Sequence, residues 1–290
     1  MDVFEEVQFD KTAWAEQKKA QRQAAYEMVD NCLDSMPMEE SKLRQYLTVQ
    51  GRFPQCSVGN AVLIAAQRPE ATEYHTFDDW KKQDVSINKG EQSFTMLVPN
   101  GTYKGDDGKT HTSFDVQKVF DISQTNAAPK QTEQDLRLTL KAMLMRPVCP
   151  VQVVDHQQGA VFVVTENKVE IGRGMSMEDT MRNLSMALAH GELAKVIPNY
   201  NPGEPQNSFY ARCASYVICT HYGADARNYS FSDMQSALGP CNSNEVRQHL
   251  QVIREAAKTL IERTDKARTA ILARAKTMQA QNREQEQEAR

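Results

Sequence analysis

The stretch Tyr46-Leu-Thr-Val-Gln-Gly-Arg-Phe-Pro-Gln-Cys-Ser57-Val-Gly-Asn60, followed by Leu63-Ile64 and Gln67-Arg68-Pro69-Glu70-Ala71-Thr72, decides how this chain is read. It continues through Phe77, Trp80-Lys81, Lys89-Gly90-Glu91 and Pro99, and closes on Val119-Phe120-Asp121-Ile122-Ser123-Gln124-Thr125. Met38 to Val49 repeats Leu43, Tyr46 and Leu47 at helical spacing, and Gly51-Arg52-Phe53-Pro54 breaks that helix. Ser57 caps the next helix through Asn60, Leu63, Ile64 and Gln67, and Pro69 ends it. Phe77 to Lys82 is a short helical turn carrying Trp80. The period then changes. Phe94 to Pro99 is an apolar strand, Gly105-Asp-Asp-Gly108 is a hairpin turn, and Ser113 to Ile122 alternates Phe114, Val116, Lys118 and Phe120 against Asp115, Gln117, Val119 and Asp121.

Working outward, residues 10–34 read as a helix capped by Asp10, with a ragged apolar face of Trp14, Tyr26, Met28, Val29 and Leu33. Ser123 to Glu133, with Asn126-Ala-Ala-Pro-Lys130, reads as linker. Beyond it come a helix at Asp135–Met145, a strand at Val151–Val154, and a hairpin from Val161–Val164 and Lys168–Ile171. Ser176-Met-Glu-Asp179 is a capping box for a helix to about Lys195. Further helices cover Phe209–Tyr222 and Asn242 to about Thr264, and Gln279 to Arg290 is expected to fray. The fold class is therefore α+β: N-terminal helices with a small antiparallel sheet, then a mainly helical domain with a β-hairpin and a C-terminal helix. The expected bounds are an extension at 1–39, a first domain at 40–125, a linker at 126–134, a second domain at 135–265 and a charged tail at 266–290.

The 290 residues suit about two domains, and 40% hydrophobic with 25% charged residues is ordinary for a water-exposed protein. No apolar run approaches the roughly 20 residues needed to cross a bilayer, so no membrane association is expected. The start, Met1-Asp-Val-Phe-Glu-Glu, has no charged-then-apolar leader, and six cysteines lack any CxxC pair. Both point to reduced thiols and a cytoplasmic location. Net charge is −4, and ten basic residues between Lys42 and Thr125 meet ten acidic ones. Coating nucleic acid by bulk charge is excluded, so any binding must come from the arrangement of rings and cations.

In their order and spacing, the words of the 46–125 stretch resemble the N-terminal domain of the ArdC antirestriction family and its LtrC-like relatives on conjugative elements. The resemblance implies a domain that binds single-stranded DNA, followed by a zinc-metallopeptidase-like domain. It also implies a role in protecting incoming conjugative DNA from restriction.

A zincin helix carries H-E-x-x-H, in which two histidines one turn apart bind zinc and the glutamate polarises the metal-bound water. Here the matching place reads Met186-Ala187-Leu188-Ala189-His190. Met186 stands for the first ligand and Ala187 for the base. Arg212 falls where the resemblance puts the third, acidic ligand, and an arginine repels a divalent metal. The expectation is a zincin-like shell without its chemistry: no cofactor, no zinc, no catalytic residue. His190, Glu192, Cys213, Cys219 and His221 are the residues left for rebuilding a site, but His190 and Glu192 diverge on their helix. His190-Gly191-Glu192 also has the H-x-E form of nucleobase deaminases, yet Pro240-Cys241 lacks the second cysteine that signature needs.

Single strands are held by aromatic platforms and by cations spaced along the backbone. The candidate DNA-binding residues are Tyr46, Arg52, Ser57, Asn60, Gln67, Arg68, Trp80, Lys81 and Lys89. Each has a plainer reading: Trp80, Phe77 and Phe120 as core, Ser57 as a cap, Asn60 and Gln67 as hydrogen-bonding residues that lock neighbouring backbone. Two rival functions stand beside DNA binding. One is a divergent zinc hydrolase built on His190; the other is a scaffold whose C-terminal helix recruits a protein partner.

Overall fold

A run of Ala, Gln, Lys and Glu without an interior Gly or Pro carries helix α1 from Lys11 to Ser35. α2 (Glu40–Arg52) and α3 (Val58–Gln67) follow, then the two-residue strand β1 (Tyr74–His75) and the short helix α4 (Phe77–Lys82). A long hairpin pairs β2 (Phe94–Lys104) with β3 (Thr110–Asp121). Next come α5 (Leu136–Met145), β4 (Val151–Val154), β5 (Ala160–Val163) and β6 (Lys168–Gly172). The helices α6 (Met177–Val196), α7 (Pro205–His221), α8 (Met234–Leu238) and α9 (Ser243–Glu288) complete the α+β fold. The computed structural model describes residues 11–128, 135–155 and 158–288. The proposed Asp10 cap and most of the 126–134 linker lie outside them.

The chain packs as two units. The first takes residues 11–33 and 59–128, the second 34–58 and 135–288. Residues 40–58, at the head of the 40–125 segment, thus pack with the second unit. Chain order alone does not place them.

In the first unit the sheet order is β1-β3-β2, all antiparallel. α1 buries Ala25, Val29 and Leu33, a stripe four residues apart, and leaves Trp14, Tyr26 and Met28 exposed. β2 is the outer strand, so one row of its backbone groups lacks a strand partner. Asn60 and Gln67, seven apart on α3, supply it. Asn60 Nδ2 donates to Leu97 O at 2.8 Å and its Oδ1 accepts from Leu97 N at 2.9 Å. Gln67 Nε2 donates to Thr95 O at 3.0 Å and its Oε1 accepts from Thr95 N at 2.9 Å. Beyond Val98 the β2–β3 ribbon is largely exposed. The expected linker from Ser123 is not loose at its start. Ile122–Gln124 is a 3₁₀ turn capped by Asp121, and Thr125 bridges to Ile87.

In the second unit β4 runs parallel to β6, and β5 antiparallel to it. The break expected across Gly51-Arg52-Phe53-Pro54 falls inside that stretch, with α2 running three residues past Val49 to Arg52. A Cβ at Gly51 would lie 2.8 Å from Thr220 Cβ and 2.8 Å from Val217 O on α7, so this glycine permits a close helix crossing. α8 was not foreseen. Nor was the length of α9, which runs to Glu288 through the stretch expected to fray. Its Ala, Arg, Lys, Glu and Gln content, free of Gly and Pro, sustains it.

Candidate nucleic-acid interface and the histidine remnant

Three candidates, Tyr46, Arg52 and Ser57, belong to the second unit; the other six belong to the first. Tyr46 is 1% exposed, and its hydroxyl donates to Gln50 Oε1 at 3.0 Å. Burial pushes its phenol pKa far up. Gln50 in turn donates to Phe53 O, so the pair locks the chain as it leaves α2. Tyr46 is therefore corrected from base platform to core residue, since α2 turns this face inward. Trp80 is corrected likewise: it is 2% exposed, and its Nε1 donates to Phe120 O at 2.9 Å. Asn60 and Gln67 spend their amides on β2. The plainer reading holds for these three, and their polar atoms are not available to DNA.

Arg52 and Ser57 are exposed on either side of the Phe53–Cys56 turn. Arg254 of α9 donates to Gln55 O at 3.2 Å and to Cys56 O at 2.5 Å, fixing that turn. Arg68 is engaged by carboxylates, with Glu70 at 3.0 Å and Glu91 at 3.9 Å. Lys81 and Lys89 are exposed, and neither makes an ion pair among the described residues. Lys89 sits in the turn Asn88–Glu91, where Gly90 takes φ +90° with open space around it. Asn88 N donates to Gln124 O at 2.9 Å, Asn88 Nδ2 to Thr125 O at 3.1 Å, and Gln124 Nε2 to Glu91 Oε2 at 2.9 Å, so this turn is held firmly.

Two exposed rings stand outside the nine named candidates. Phe77, expected in the core, is 56% exposed on α4, one turn before Lys81. Thr76 caps this helix by accepting from Asp79 N at 3.1 Å, and the cap turns Phe77 outward while Trp80 points in. Tyr103, also 56% exposed, stands opposite His111 in the ribbon. Gly105 N donates to Lys109 O at 2.9 Å, and counting two residues outward from that pair on each strand sets 103 opposite 111.

The second unit holds the remnant. His190 is buried, and its Nδ1 lies 2.6 Å from the Tyr200 hydroxyl. Burial alone lowers its pKa to about 4, so the ring is neutral at physiological pH. Ala187 is fully buried, and Met186 is half-buried. Arg212 donates to Asp233 Oδ1 at 2.6 Å and lies over the Phe209 ring. The other histidine, acid and thiols go elsewhere. His221 Nδ1 meets Gly51 O at 2.9 Å, Glu192 meets Lys195 at 3.0 Å and Arg263 at 2.6 Å, and Cys219 meets the Tyr229 hydroxyl at 3.3 Å. A cavity of about 560 Å³ opens beside Tyr200, lined also by Phe162, Gly191, Lys195 and Asn199. Among the described residues no three His, Cys, Asp or Glu side chains gather as a metal site.

The family profile of the N-terminal domain of the anti-restriction factor ArdC matches residues 32–143. The uncharacterized protein pXO2-81 of Bacillus anthracis is 24% identical over 237 residues, which is 62% of this chain and 40% of that relative. The chain thus spans about two-fifths of that relative's length. Two solved structures of the antirestriction protein ArdC from the R388 plasmid are similar, each at TM-score 0.45. The metal-free one is 11% identical and covers 72% of this chain and 85% of its own. The Mn(II)-bound one is 14% identical, with 77% and 98%. The expectation that this chain carries no cofactor is corrected by the Mn(II) bound in that similar structure. In this chain Tyr200 takes the His190 imidazole, and Asp233 takes Arg212. Residues 32–143 of this chain are thus similar to the N-terminal domain of the anti-restriction factor ArdC.

Proposed function

We propose that this chain binds single-stranded DNA through its first unit, as an antirestriction protein of a bacterial mobile element acting in the cytoplasm. The observation that carries the reading is on α4. Phe77 offers an exposed ring, and Lys81 an exposed cation one helical turn away, where a base and a neighbouring phosphate are held together. Lys89, on its braced turn, adds a second cation in the same unit. Arg68 braces that turn through Glu91 and contributes little net charge of its own. Arg52 and Ser57, exposed in the second unit, are proposed as contacts of that unit by itself.

The second unit is proposed as a zincin-like shell that does not hydrolyse peptides in the H-E-x-x-H manner. An alanine methyl stands where the general base would be, and it is sealed in the core. A gel-shift comparison of single-stranded and duplex oligonucleotides at low and moderate salt tests the binding. A preference for single strands that weakens as salt rises is expected; equal affinity for both forms would refute it. A second reading, recruitment of a protein partner, draws on α9. Leu144, Leu272 and Met278 are exposed, and Leu144 and Met278 border a groove of about 760 Å³ between α5 and α9. Capture of a partner that survives nuclease treatment and is lost on Met278→Asp would favour it.

A further inference from the structure

Among the described residues no second layer covers the outer half of the β2–β3 ribbon, yet it holds an ordered stack of rings. Tyr103 and His111 are directly opposed in the antiparallel register, so they share one face. Their ring centroids lie 5.5 Å apart at an interplanar angle of 28°. His111 is fixed from two sides. Its Nε2 donates to Asp107 Oδ1 at 2.9 Å, a bond that, with the Lys109 amide, holds the Asp107 carboxyl below the usual carboxylate range. Gly105 makes room beneath it, since a Cβ there would come within 2.7 Å of the imidazole.

Two cations at this tip are free to meet an anion, while the neighbouring carboxylates are mostly engaged. Asp107 is committed to His111 and to the Lys109 amide, and Asp115 to Lys18 and Arg22. Lys104 and Lys109 flank the stack, exposed and without an ion pair among the described residues; Asp106 is the one acidic group at the tip in the same condition. A cross-strand ring pair that merely staples a ribbon needs no unpaired lysine on each side. Tyr103 would stack a base, and the two ammonium groups would meet the adjoining phosphates.

We propose that the Tyr103–His111 pair is a base-stacking platform for single-stranded DNA, separate from Phe77 on α4. The proposal rests on the single-strand reading above and names the surface that takes a base. His111 does not touch the strand; it positions Tyr103 from beneath.

The test uses the full chain and fluorescence anisotropy, with a labelled oligothymidylate and a fully abasic oligonucleotide of equal length. Tyr103→Ala is expected to weaken oligothymidylate binding roughly tenfold or more while leaving the abasic strand unchanged, and Tyr103→Phe to keep the wild-type affinity. Lys104→Ala with Lys109→Ala should weaken both strands. Photocrosslinking of the unaltered protein to an iodouridine-bearing strand, mapped to residues 101–111, gives a readout independent of variant folding. Unchanged oligothymidylate affinity in Tyr103→Ala, an equal loss on the abasic strand, or crosslinks confined to other segments would overturn the platform while single-strand binding itself stands. Absence of any binding by the unaltered protein would instead remove the single-strand reading, and this proposal with it.

Discussion

Asp121 shows how one side chain ends a strand and fixes the turn after it. Its carboxylate accepts from Thr72 N at 2.8 Å, Glu73 N at 3.1 Å and Ser123 N at 2.9 Å, while Gln124 Oε1 accepts from its own amide. Burial pushes its pKa up, but these bonds outweigh burial and hold it below the usual carboxylate range. A depressed folded value means the contribution is complete above the unfolded value near 4 and is lost as pH falls through the folded one. Asp121→Asn is expected to cost about 1–3 kcal/mol at neutral pH, read by urea denaturation, and to remove part of the acid loss. His190 works in the other direction along the same axis. Its folded pKa near 4 lies below the unfolded value, so protons prefer the unfolded chain, and stability drops by about 3 kcal/mol as pH falls from 6.5 toward 4. His190→Asn should flatten that slope in thermal melts recorded across this range. Sequence alone supplied the identity of both residues. Whether a ring such as Tyr46 or Phe77 faces in or out depended on which neighbour covers its helix, and a 6-residue helix like α4 has too few turns to display a face.

At the scale of elements, most helices and strands were legible because caps and periods agree: Thr76, Asp135 and Ser176 each accept from the backbone of the first turn they open. The packing role of Gly51 was not legible, because glycine signals a helix end locally while the close crossing it permits is set by α7, far away in sequence. Gly51→Ala is expected to destabilise the second unit by about 1–3 kcal/mol, since the new methyl meets backbone that cannot yield. Differential scanning calorimetry would register it. Asn60 carries a comparable cost for the first unit. Asn60→Ala leaves both backbone groups of Leu97 without their α3 partner, and a loss of about 1–3 kcal/mol in urea melts is expected. The sequence reading had Asn60 and Gln67 among the DNA contacts and also as backbone locks, and only their pairing with Leu97 and Thr95 separates the two.

For the whole molecule, the order of short words from Tyr46 to Thr125 was enough to suggest the ArdC-type family, and the profile match over residues 32–143 agrees. Those words did not reveal that residues 34–58 pack with the second unit, because packing partners are not encoded in local order. Nor did they separate contact residues from scaffold: of nine named candidates, Tyr46, Trp80, Asn60 and Gln67 hold the fold, and Lys81 and Lys89 are left with unpaired charge among the described residues. The account therefore stands on those two lysines meeting phosphates. It is tested most directly by the slope of log Kd for oligothymidylate against log salt, measured for the unaltered protein and for Lys81→Ala with Lys89→Ala. Each phosphate contact on a single strand contributes about 0.7 to that slope, so the double variant should lose about 1.4. An unchanged slope, or no measurable affinity for single strands in the unaltered protein, would contradict it.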